Sequence, residues 1–80
     1  MRVSVPHPDG QGRVQLHVYP GSTPWRVKLQ GRREEALLEP GTSPGFLAEG
    51  YPGWLRELCA AIDADRVLAE AIVREVERRR

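Results

Sequence analysis

Between Arg13 and Gln30 the chain reads RVQLHVYPGSTPWRVKLQ, and its polar positions carry Arg, His, Tyr, Lys and Gln but no acid. Arg13, Gln15, His17 and Tyr19 occupy alternate positions, as do Arg26, Lys28 and Gln30. With a side-chain period of two, each set shares one face of a strand. Arg2, in the earlier run RVSV, belongs to the same polar parity. A guanidinium is a forked donor suited to phosphate, Tyr and His offer flat faces for stacking, and Gln can bond a base edge. A sheet uses this chemistry to hold single-stranded nucleic acid. Arg2, Arg13, Gln15, His17, Tyr19, Arg26 and Lys28 are therefore the candidate contacts with an anionic partner. The competing reading is a merely solvated strand face, or one neutralised by the chain's own acids or by those of a second copy. The presence of one Tyr, where RNA-binding sheets usually show several exposed aromatics, weighs against RNA.

Two other groups of residues invite a catalytic reading. His7 and Asp9 lie two apart, and His17 follows on the next strand. Such a set can bind a metal or run acid–base chemistry as a small hydrolase or nuclease, because imidazole titrates near neutrality. The segment PHPDG is equally a turn, set by its prolines and by Asp before Gly. Cys59 is the only cysteine, so it forms no internal disulfide and no paired metal motif. It falls on or beside an apolar helical stripe, where a thiol is a small core group. The segment GTSPG lacks the spacing of a nucleophile elbow, and neither a P-loop nor GxGxxG occurs. A non-catalytic protein without cofactor or metal is the expectation.

The elements that must position these residues follow from periodicity. RVSV reads as a short strand that ends at Pro6. Val14, Leu16 and Val18 share a face, as do Trp25, Val27 and Leu29, and the turn-rich Pro20–Pro24 joins them into a hairpin. Gly31 to Arg33 turns again, and Glu34–Glu39 is a fourth strand or a short helix, its alternation being poor. Residues 40–53, PGTSPGFLAEGYPG, form an irregular connection anchored by Phe46, Leu47 and Tyr51 that packs over a core edge.

The period then becomes helical, with Trp54, Leu55, Leu58 and Ile62 on one stripe. Asp63 reads as the N-cap of a second helix, Asp65 sits in its first turn, and Leu68, Ile72 and Val76 form its stripe, flanked by Ala69 and Val73. One helix over 52–79 is the alternative, but at 1.5 Å per residue it would run roughly 40 Å. The expected fold is α+β: an antiparallel meander of three or four strands followed by two C-terminal helices packed on one face. Residues 1–80 make one small domain. Its basic, strand-rich part covers 1–39, its Gly/Pro-rich connection 40–53, and its acidic helical part with an Arg tail 54–80.

Charge is distributed unevenly along this plan. Residues 1–33 hold six basic residues and one acid, whereas 34–77 hold three basic residues and ten acids. The Arg78–Arg80 tail returns the total to +1. A near-neutral chain is thus polarised, and its two halves can attract neighbouring copies as readily as a foreign anion. The acidic helices argue against a DNA-recognition helix, because they would repel the duplex. Eighty residues bury only a modest core, so a homodimer that covers more of the helical stripe is also expected. Eleven of the twelve basic residues are Arg and there is no Asn, a bias that fits a GC-rich or thermophilic source. The sequence shows no apolar run of signal or membrane-spanning length, so a cytoplasmic location is expected. Together these features describe a small binding or regulatory module whose cationic strand face meets an anionic partner, most readily nucleic acid.

Overall fold

A computed structural model describes residues 1–80. The strands β1 (Arg2–Pro6), β2 (Arg13–Tyr19), β3 (Trp25–Leu29), β4 (Glu35–Glu39) and β5 (Gly45–Phe46) pair in chain order as one antiparallel sheet. A six-residue helix α1 (Gly53–Leu58) and a fifteen-residue helix α2 (Ala64–Arg78) follow. The α+β meander is therefore present, with five strands where the sequence suggests three or four. The additional strand, β5, is two residues long and lies inside the connection expected to be irregular.

Side-chain parity builds the core. Val3, Val5, Val14, Leu16, Val18, Trp25, Val27, Ala36 and Leu38 are all buried, and they meet Leu68, Ala69, Ile72, Val73 and Val76 of α2. The sheet curls so that α2 touches both β1 and β5, its two edges. No helix is long and apolar enough to cross a membrane.

In place of the two C-terminal helices expected to pack on one face, the chain forms one long helix preceded by a single short one. α1 closes at Cys59, whose amide donates to Leu55 O at 2.9 Å, and the helical phase never reaches Ile62. Ile62 is 93% exposed, off the stripe to which its spacing assigns it. A continuous helix of the length considered above would outrun the molecule, whose largest dimension is 28 Å. Asp63 does hold the N-cap position of α2, but in a left-handed conformation at φ 59° and without a side-chain capping bond. Its carboxylate lies instead 3.5 Å from the Arg66 guanidinium.

Glu35–Glu39 resolves as a strand, and its poor alternation has a local cause. Leu37 points to the side opposite Ala36 and Leu38, where a 3-10 turn, Ala48–Gly50, covers it. Gly50 leaves no room there for a Cβ, which would meet the Leu37 side chain. Next to this contact, Phe46 and Tyr51 pack edge to face with centroids 6.4 Å apart. Trp54 of α1 is buried and donates its indole N–H to Glu34 O at 2.7 Å, fastening the helix to the start of β4.

Candidate nucleic-acid interface

The hairpin registers arrange the polar face in cross-strand rows. Arg2 stands opposite His17, His17 opposite Lys28, and Lys28 opposite Glu35. The row thus sets two cations and a titratable imidazole side by side. Within the row Arg2 faces an imidazole and Lys28 faces both that imidazole and the acid Glu35, so the two cations are held one strand apart. Glu35, the row's acid, bonds Arg26 at 3.1 Å. Arg2 and Lys28 have no carboxylate within ion-pair distance, and neither has Arg13.

Arg2 Nε–H donates to His17 Nε2 at 3.3 Å, so that nitrogen acts as an acceptor and the guanidinium keeps its remaining donors. In the next row Ser4 faces Gln15. Arg13 donates Nε–H to Ser4 Oγ and Nη2–H to Ser4 O, both at 2.8 Å, and Gln15 Nε2 donates to the same hydroxyl at 3.1 Å. In the row on the other side, the Arg26 guanidinium lies 4.5 Å from the centroid of the Tyr19 ring. A cation–π contact of this kind holds the ring in place.

Arg2, Gln15, His17 and Lys28 line a hollow of about 200 Å³ at one end of this face. Gln30 and Arg32 complete its polar wall, and no acid lines it. The sequence names the first four as candidates but misses Arg32, which the following turn brings into place. Arg32 N–H donates to Leu29 O at 3.0 Å, and Gly31 supplies the positive φ of 89° that this reversal needs. Only the Gly31-Arg32 pair hinted at this. Glu57 of α1 stands 3.7 Å from Arg32, so this cation alone in the hollow is shared with an acid.

Arg13, Tyr19 and Arg26 lie on the same face but outside the hollow. Arg26 is paired within the chain: Leu37 stands directly opposite it, and the neighbouring Glu35 reaches its guanidinium at 3.1 Å. Of the three residues weighed for catalysis, His7 and Asp9 meet, with Nδ1 and Oδ1 2.8 Å apart, but His17 does not join them. His7 lies just beyond the Pro6–Arg13 pair and His17 opposite Arg2, which puts them at opposite ends of the β1–β2 ladder, roughly 13 Å apart along β2. The Asp9 amide donates to His7 Nδ1 at 3.1 Å, a contact internal to the turn.

Cys59 is half-buried and packs against the core, and burial pushes its thiol up to about 11, with the Asp65 carboxylate adding to the effect. A thiol raised in this way is a poor nucleophile. The Tyr51 phenol is likewise raised, by desolvation first and then by Asp65, to which it donates at 3.3 Å. Compared with known proteins, the chain matches no family model, no curated protein and no solved structure.

Proposed function

We propose that the protein is a small, non-catalytic binding module whose cationic strand face holds nucleic acid, most readily a single strand. The observation that carries this reading is the Arg2–His17–Lys28 row, which opens on a hollow without an acid. Register sets Glu35 directly opposite Lys28, but that carboxylate is taken by Arg26 at 3.1 Å, which leaves Arg2 and Lys28 without an ion-pair partner. Tyr19, held by Arg26, supplies a ring for a base, and Gln15 and Gln30 supply neutral amides beside the cations. We assign such a module to the cytoplasm, where a nucleic-acid partner is met.

Titration of labelled single- and double-stranded oligonucleotides over a salt series tests the assignment. Binding should weaken linearly in log–log form, with a slope of about −0.7 per phosphate contacted on a single strand. Arg2→Glu combined with Lys28→Glu should weaken it at least tenfold. If the double variant binds as tightly as the parent, the row is not the interface.

A second reading takes the split of charge along the chain, basic over 1–33 and acidic over 34–77, as the basis for assembly of copies. The outer surface of α2 exposes Arg66, Arg74 and Arg78 beside Glu77, so it offers both signs of charge to a neighbour.

A further inference from the structure

We infer that the hollow holds the terminal phosphate monoester of a nucleic-acid strand, with the rest of the cationic face carrying the chain behind it. This rests on the nucleic-acid reading above and narrows it to one chemical group. Size is the first argument. Pockets that enclose a whole small ligand run to about 300–1,000 Å³, whereas this one has about 200 Å³. It accommodates one group of a larger molecule rather than a free cofactor.

Charge is the second argument. Arg2 and Lys28 are unpaired and Arg32 is only loosely shared, so the wall presents between two and three positive charges. An internal phosphodiester brings one negative charge, but a monoester brings about 1.5 to 2 at neutral pH together with three strong acceptor oxygens. The monoester is the better match. The donors are also suitably varied: an Arg fork, a Lys ammonium and the side-chain amides of Gln15 and Gln30 converge from β1, β2, β3 and the turn that follows.

Position is the third argument. Tyr19 lies two residues along β2 from His17, roughly 7 Å away, and a chain leaving the hollow in that direction meets its ring. Arg26, neutralised by Glu35, holds that ring without competing for the phosphate.

The test compares single strands of one sequence that carry a 5′-phosphate, a 3′-phosphate or hydroxyls at both ends. One of the two phosphorylated strands should bind at least tenfold more tightly than the hydroxyl-ended strand. Inorganic phosphate should compete with it. Lys28→Gln and Arg2→Gln, at surface positions and checked for unchanged melting, should each abolish that advantage, while Arg33→Gln, outside the hollow, should retain it. Equal binding of all three strands overturns the terminal-phosphate assignment and leaves the nucleic-acid reading standing. Absence of binding by every oligonucleotide overturns both. Capture of a phosphopeptide in their place gives the hollow to another class of partner and likewise overturns the inference.

Discussion

At the scale of single residues, Cys59 offers a sharp expectation. Its thiol stays protonated in the folded protein to about pH 11, whereas in the unfolded chain it ionises near the ordinary 9.0. Between those values the unfolded state has released a proton that the folded state retains, so stability falls as pH rises from about 9 to 11. Below that window the contribution is fully present. Tyr51 acts in the same direction through its own raised phenol. Urea unfolding of the parent and of Cys59→Ala at pH 8 and pH 10 should show a smaller alkaline loss in the variant; an equal loss in both would contradict the assignment. Alkylation of Cys59 at pH 8 should be slow compared with a free thiol. The placing of Cys59 beside the stripe was legible from helical spacing alone. Arg32 was not, because its arrival in the hollow depends on how the Gly31 turn reverses the chain. Ile62 was misread for a related reason: spacing describes a helix only for as long as the helix continues.

Elements are held together at particular close approaches, and Gly50 against Leu37 is one where an added Cβ has no room. Gly50→Ala should destabilise the fold by about 1–3 kcal/mol, the usual cost of overpacking. Leu37→Gly, which removes the Cβ as well as the Cγ and Cδ1 that a Gly50 Cβ would meet, should relieve the clash, so that the double variant is more stable than the sum of the two single changes implies, with a coupling of about 0.5–3 kcal/mol. Thermal melts of the four proteins measure this; strict additivity would mean that the turn Ala48–Gly50 does not bear on β4. The alternation of Val14, Leu16 and Val18 made β2 readable, since half-buried strands repeat every two residues. The run Glu35–Glu39 resisted the same reading because Leu37 is covered on the face that is open elsewhere. Register was beyond reach from the sequence, and with it the row that joins Arg2, His17 and Lys28. It depends on how the turns between strands are built, whereas parity depends only on the strands themselves.

Taken whole, the molecule mixes its charges more than the chain order suggests. The split between a basic first part and an acidic second part could be counted along the chain, but α2 exposes Arg66, Arg74 and Arg78 beside Glu77. The fate of the Arg tail could not be counted. Arg78 pairs with Glu75 at 2.7 Å, Arg79 donates to Arg2 O, and Arg80 donates to Pro20 O at 3.1 Å while lying over the Trp25 ring. The tail is fastened to the sheet. If copies associate through their charges, sedimentation should show larger species at low salt that dissociate as salt approaches physiological strength, where the screening length falls to about 8 Å. A mass that does not change with salt would remove charge-driven assembly.

The crowding of Arg2, His17 and Lys28 has one more consequence. Mobile ions shield these neighbours from one another, so moderate salt should firm the empty protein even as it loosens the grip on a polyanion. Rigidity and adhesion would then respond to the same solute in opposite senses, and the ligand would supply the counter-charge that the sheet leaves out.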